Sequence, residues 1–288
     1  MDSSLPLTNK SDNSEIITII EPSKGRFKID FQEIWRYREL LLMLAWRNTI
    51  VRYKQSVIGI AWAIIKPVTS MVIFSVIFGK LAKLPSDGVP YPLFTYVALI
   101  PWGYFSGCLT QTANSLVGGG HLSKKVYFPR LILPLSHVFT GLIDFFVSSF
   151  VLVGLMLWYR DSVQLTWGIF CLPVFLLLAV LSAFSVGLWL SSFMVKYRDV
   201  SFLIPYILQV WLYITPIAYT AALVPEKWRL VYAINPMVSV VDGFRWALLG
   251  KTLPNWEGVA ISSLIILVLL ISGLFYFRAT EKTFTDIV

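Results

Sequence analysis

The sequence predicts an all-α membrane protein: six transmembrane helices, an N-terminal amphipathic interfacial helix, and a re-entrant helical hairpin before the last span. Three observations carry this reading. Of 288 residues, 57% are hydrophobic and only 14% charged, whereas a soluble domain carries about 25% charged residues. Six apolar runs each come near the ~20 residues that a ~30 Å hydrocarbon core requires. The stretch Phe31–Pro67, FQEIWRYRELLLMLAWRNTIVRYKQSVIGIAWAIIKP, turns midway from basic and amphipathic to nearly continuously apolar.

Residues 1–30 form a flexible polar N-terminus. Met1–Ser14 is rich in Ser, Asp and Asn and has no signal-peptide pattern, and Ile16–Ile20 is a β-like run too short to fold alone. Residues 31–54 form the interfacial helix. Phe31, Ile34, Trp35, Leu41, Leu42, Ala45 and Trp46 fall mostly on one side, interleaved with Arg36, Arg38, Arg47, Arg52 and Lys54. A basic aromatic helix of this kind lies in the headgroup region with its apolar side sunk into the acyl boundary.

Residues 55–288 form the six-span unit, with spans near Val57–Phe78, Leu93–Val117, Leu135–Trp158, Trp167–Val195, Phe202–Tyr219 and Val259–Phe277. Between the last two, about residues 223–254, Pro225, Pro236 and Pro254 punctuate two short helices. The apolar piece Met237–Leu249 is too short to span, which predicts a hairpin dipping in from one side.

Eleven basic residues lie on one side: Arg38, Arg47, Arg52, Lys54, Lys124, Lys125, Arg130, Lys196, Arg198, Arg278 and Lys282. Seven lie on the other: Lys80, Lys83, Arg160, Lys227, Arg229, Arg245 and Lys251. The positive-inside rule makes the first side cytoplasmic, with both termini inside. The formal charge of +8 then reflects this bias and anionic lipid headgroups rather than nucleic acid. No internal repeat of the kind found in inverted-repeat transporters is visible.

Chemistry-bearing residues are sparse. Neither GGGHLSKK (118–125) nor the run ending at Gly250-Lys251-Thr252 fits GxxxxGK[ST], so no nucleotide site is expected on this chain. His121 and His137 are isolated, Cys108 and Cys171 lack metal-ligand spacing, and no metal site is expected. Lys66 and Asp144 are the intramembrane polar residues. Burying an ammonium costs ~2.5–3.5 kcal/mol, so each needs a partner or water, and a Lys66–Asp144 pair is one solution. The other carboxylates are scattered singly, unlike an enzyme site. Trp62, Tyr96, Trp102, Tyr104, Phe105, Trp211, Tyr213 and Tyr219 sit in spans or beside their outer ends. Aromatic faces stack on the C–H faces of sugars, so these residues favour a glycan pathway, with ordinary helix packing as the competing explanation.

The segments RNTIVRYKQSVIGIAWAIIKP (47–67), SKKVYFPRLILPLS (123–136), KYRDV (196–200) and PIAYTAALVPEKWRLVYAINPMVSVVDGFRWALLG (216–250) resemble the permease subunit of ABC-2 type polysaccharide exporters. The resemblance covers about residues 15–288. It implies a non-catalytic permease, working as a homodimer with two copies of a separate ABC ATPase that binds ATP and Mg, in the bacterial inner membrane. The implied cargo is a glycan on a polyprenyl pyrophosphate, O-antigen-like. Teichoic acid, capsule or another lipid cargo is the alternative.

On this chain the resemblance places the ATPase contacts at Trp35, Arg36, Arg38, His121, Lys124, Lys125, Arg198 and Asp199. Arg47, Arg52, Lys54 and Arg130 would attract the cargo pyrophosphate, as charge-assisted contacts suit phosphate. The hairpin before the last span would be the outward gate. Two rivals come from other classes. An ion-coupled flippase would need a row of intramembrane titratable groups, and a transferase acting on lipid-linked sugar would need clustered carboxylates.

Overall fold

The computed structural model describes residues 31–54, 57–123, 127–164, 166–197, 199–251 and 253–287. Among them the structure is helical throughout and contains no strand. The helices are α1 (Phe31–Arg36), α2 (Arg38–Lys54), α3 (Trp62–Phe74), α4 (Tyr91–Ser123), α5 (Ile132–Trp158), α6 (Leu172–Lys196), α7 (Val200–Ile214), α8 (Glu226–Tyr232), α9 (Pro236–Leu249) and α10 (Trp256–Ile287). The β-like run at 16–20 lies outside the described residues.

Five stretches are long and apolar enough to cross a membrane: Gly59–Leu81, Tyr91–Gly119, Ile132–Trp158, Trp167–Lys196 and Trp256–Glu281. They match five of the six expected spans. The remaining one differs. The expected Phe202–Tyr219 span is the 15-residue helix α7, about 22 Å long at 1.5 Å per residue, short of a ~30 Å core. Its end has a local cause. Thr215 precedes Pro216, and the proline ring pushes the residue before it to extended backbone, here ψ 139°.

The core is built around α4, with 78% of its most apolar window buried. Helices have little hydrophobic drive to associate in lipid, so close packing at small residues replaces it. Gly187 of α6 lies against Thr112 of α4, so closely that an added Cβ would sit 2.6 Å from the threonine methyl. Gly141 of α5 packs on Tyr104 and Cys108. On the far side of α6, Trp189 stacks on Tyr276 of α10 at 4.8 Å and donates to Ser272 Oγ at 3.2 Å. The buried Ser185 and Ser192 hydroxyls return to carbonyls of their own helix, whereas those of Ser182 and Ser191 are buried without a partner among the described residues.

The bundle has two distinct ends. At one, Arg130 donates to the Glu281 carbonyl at 2.6 Å and Lys196 lies over the Tyr276 ring. At the other, Trp246 of α9 meets Trp167, Trp256 and Phe175 edge-on, with centroids 4.9, 5.6 and 6.4 Å away. The helical pair in the 223–254 segment begins where the prolines imply: Pro225 caps α8 and Pro236 is the first residue of α9. α9 is buried almost all round, and Gly243 lets it press against the Phe175 ring with no room for a Cβ. It ends at Gly250, whose φ of 67° and close approach to the Gln164 carbonyl suit only glycine.

Candidate functional site

Polar chemistry gathers at two places, one toward each end of the bundle. The first joins α2, α4 and α5. α2 packs along α5 through Leu44, Ala45 and Thr49. Asn48 donates to Ser136 Oγ at 3.2 Å, and Thr140 Oγ1 to the Ala45 carbonyl at 3.3 Å. Two turns further along α5, the Arg52 guanidinium bridges two helices, pairing with the Asp144 carboxylate and donating to Gln111 Oε1 of α4. The Tyr53 hydroxyl donates to the other Asp144 oxygen. Burial, with the Asp144 hydrogen bond and charge next, raises the Tyr53 phenol to about 12, so it stays a neutral donor.

Asp144 therefore takes Arg52 and Tyr53 as partners, and not Lys66. Lys66 is exposed on the outer surface of α3. The physical reason is placement. Asp144 points toward α2, while α3 turns Lys66 away from the bundle. Arg52, expected at the cargo entrance, is engaged in this junction with 28% of its side chain exposed.

Beside the junction lies a cavity of about 280 Å³, lined among others by Arg47, Asn48, Gln111, Asn114, Ser115 and His137. Ser115 Oγ and His137 Nδ1 are buried without a hydrogen-bond partner among the described residues. Of the other entrance residues, Lys54 is exposed and Arg130 holds the start of α5 to α10.

The residues expected to meet an ATPase are partly visible. Trp35, Arg36, Arg38 and Asp199 are exposed, and Arg38 lies over the Trp35 ring at 5.7 Å. His121 falls in the last turn of α4; Lys124, Lys125 and Arg198 lie outside the described residues. α2 is less cleanly amphipathic than expected. Leu44 and Ala45 face α5, yet Leu42, Met43, Trp46 and Ile50 form a second, exposed apolar stripe.

The second place is the strap 214–219 following α7, whose backbone carbonyls have run out of helical partners. Side chains supply them. Arg245 of α9, 5% exposed, donates to Ile217 O at 2.8 Å and Tyr219 O at 3.0 Å, and its guanidinium stacks 3.6 Å from the Phe94 ring centroid. Tyr232 donates to Ile214 O at 2.8 Å, and Tyr91 to Ala218 O. Asn235 caps α9 by accepting from Met237 N, takes the Trp211 indole N–H at 2.8 Å and donates to Thr215 Oγ1 at 3.1 Å. Sequence reasoning counted Arg245 only as a basic residue on the outer side. A lone arginine inside an apolar 13-residue run was the available signal.

The expected aromatic lining divides. Tyr96, Trp102, Tyr104 and Phe105 of α4 are buried inside this chain, at 0, 6, 3 and 0% exposure. They pack on neighbours, as in the Tyr96 hydroxyl to Ser148 O at 3.1 Å and the Phe105–Trp211 edge contact at 5.0 Å. A ring with no accessible surface cannot touch a passing cargo, so helix packing explains these four. Trp62 and Tyr213 are exposed, and Trp211 and Tyr219 half-buried.

Residues 39–249 match the model of the ABC-2 type transporter family. The chain is 28% identical over 252 residues to the O-antigen export system permease protein RfbA of Klebsiella pneumoniae, covering 87% of this chain and 95% of that protein. It is 27% identical to the protein of the same name from Myxococcus xanthus, over 88% of this chain and 97% of the relative. With the polysialic acid transport protein KpsM of Escherichia coli the identity is 24%, over 82% and 91%. The match runs from α2 to the end of α9 and takes in both polar places; the chain is a multi-pass membrane protein of the ABC-2 type transporter family.

Proposed function

We propose that this chain is the permease half of an ATP-driven exporter that moves a lipid-linked cell-surface polysaccharide, O-antigen-like, across the bacterial inner membrane. The observation that supports the reading best is end-to-end likeness to O-antigen export permeases, over 95% and 97% of the length of two of them. In this reading the working unit is a homodimer bound to two copies of an ABC ATPase, which supplies the ATP and Mg chemistry. Both termini are cytoplasmic.

The finer architecture belongs to the same proposal. Residues 1–30 are a polar cytoplasmic N-terminus, and 31–54 lie along the inner membrane surface. Residues 55–288 form the transmembrane domain, in which α7 with its strap serves as the sixth crossing. The re-entrant hairpin at about 223–254 is formed by α8 and α9. The exposed stripe Leu42, Met43, Trp46 and Ile50, with Trp35, Arg36 and Arg38, then meets headgroups and the ATPase. His121, Lys124, Lys125, Arg198 and Asp199 complete the coupling surface.

Arg47, Lys54 and the cavity beside them receive the cargo pyrophosphate. Arg47 brings charge, and the Ser115 hydroxyl, without a hydrogen-bond partner among the described residues, brings a donor. The Arg52–Asp144–Gln111 junction makes α2 move with α4 and α5, so a push on the surface helix reaches the core of the bundle. At the opposite end, Arg245 holds the strap closed. Trp62 and Tyr213 are the aromatics left to face a channel formed with a second copy.

A direct test is purification of the tagged chain from its host in mild detergent, with chemical crosslinking before solubilisation. The expected result is equimolar recovery of an ATP-binding subunit and ATP hydrolysis by the complex. Recovery of the chain alone, crosslinked and uncrosslinked, would contradict the exporter reading.

A further inference from the structure

Between α5 and α6, on the side away from α2, lies an open groove of about 890 Å³. Its walls include Leu152 and Met156 of α5, Leu172 and Leu176 of α6, and Phe244 and Leu248 of α9. The two long helices splay here, and α9 forms the floor, with Phe145 and Phe244 meeting edge-on at 6.1 Å. The one hydroxyl in the walls, Ser149, already donates to the Phe145 carbonyl at 2.8 Å. Apart from Arg160 at one end, no lining side chain offers a free polar group to water, and the groove faces the hydrocarbon of the bilayer.

We infer that this groove seats the acyl chains of a membrane phospholipid, retained as part of the fold. Three observations select a phospholipid over a protein segment. The lining runs thirteen residues along α5, from Phe145 to Leu157, with Arg160 just beyond the helix end, a rise of about 18 Å. That reaches from the helix end through the depth of one leaflet, half of a ~30 Å core. Trp158 and Trp167, each within two residues of a lining residue at the Arg160 end, are 81% and 66% exposed, as tryptophans at a lipid–water interface are. Arg160 itself has 84% of its side chain exposed, and its contact with Asp161 is loose at 3.9 Å, so it is available to a lipid phosphate. A second copy docked there would strip water from Arg160 and from both tryptophans.

The position gives the lipid a consequence. Phe244 and Leu248 flank Arg245, which holds the 217–219 strap. The acyl chains therefore back the helix that carries the clamp. In the orientation proposed above this is the outer leaflet. The retention itself does not depend on that orientation, on an ATPase or on any cargo.

The test is reconstitution of the full chain into vesicles of phosphatidylethanolamine and phosphatidylglycerol bearing a photoactivatable diazirine in one acyl chain, with labelled peptides mapped by mass spectrometry. Segments 145–157 and 244–248 should be labelled several-fold above the exposed face of α10 at 264–271. Filling the groove by Leu152→Trp, or more mildly by Ser149→Leu, should bring them down to that level. With the diazirine placed in one lipid or the other, Arg160→Gln should lower labelling from phosphatidylglycerol relative to phosphatidylethanolamine. Labelling equal to α10 in the unaltered chain would overturn the inference. So would disulfide crosslinking of two copies through Leu157→Cys, or recovery of a polyprenyl lipid instead of phospholipid from the washed protein. Because the readout needs no transport, it can fail while export stands, and the reverse.

Discussion

Replacing Asp144 by Asn tests the junction through which the proposed coupling of α2 to α4 and α5 would run. Arg52 and Asp144 each keep 28% of their side-chain surface, placing the pair between two limits. Exposed pairs contribute at most about 1 kcal/mol, whereas breaking a fully buried pair costs about 3–5 kcal/mol because the survivor is left charged and unpaired. Asp144→Asn should therefore cost about 2–3 kcal/mol, with Arg52 still held by Gln111. Arg52→Gln should cost a similar amount, with Asp144 still held by Tyr53.

The pair itself is isolated by the double variant. In a double-mutant cycle, unfolding in mixed detergent–SDS micelles should reveal a coupling of about 2 kcal/mol. In Lys66→Met the loss should stay within about 0.5 kcal/mol, the range for surface substitutions away from special features. Additivity of the two single variants within about 0.5 kcal/mol would refute the junction. A strong Lys66–Asp144 coupling would refute it too, and would restore the pairing suggested by the sequence.

Three more expectations follow from the same contacts. Arg245→Met removes both hydrogen bonds to the 217–219 strap and should cost about 2–4 kcal/mol, at 1.5–3 kcal/mol for each bond to a charged group less the relief of burying no charge; a solute-leak assay in proteoliposomes should show an opened barrier, and a tight barrier at normal stability would contradict the clamp. Gly243→Ala drives a Cβ into the Phe175 ring, an overpacking that should cost about 1–3 kcal/mol, read from the same micelle titration. Charge reversal at Lys124 and Lys125 should abolish export while leaving the chain in the membrane, as scored by surface glycan and membrane immunoblot; normal surface glycan would remove them from the coupling surface.

Much of the frame was legible because the bilayer imposes it. Five runs of near 20 apolar residues reappear as helices of 23–30 residues, since an unpaired backbone is prohibitive in lipid. The prolines at 225 and 236 marked the starts of α8 and α9. The early end of α7 was signalled by Thr215-Pro216, but the apolar residues beyond it masked that signal. What the sequence hid was direction. In a lipid-facing bundle both sides of a helix are apolar, so periodicity did not reveal that α4 is central and that its Tyr96, Tyr104 and Phe105 point inward. The Arg52–Asp144 pair joins residues 92 apart in sequence, and no local pattern announces it. Arg245 was read by charge and side alone, although an arginine within an apolar run must find acceptors, and here the carbonyls of the strap provide them.

The central claim, export of a lipid-linked polysaccharide, is tested most directly by depleting this chain in its host and measuring glycan on both sides of the membrane. The account predicts loss of surface polysaccharide together with accumulation of polyprenyl-pyrophosphate-linked glycan on the cytoplasmic face, both reversed by the intact chain. Unchanged surface polysaccharide with no cytoplasmic accumulation would contradict it.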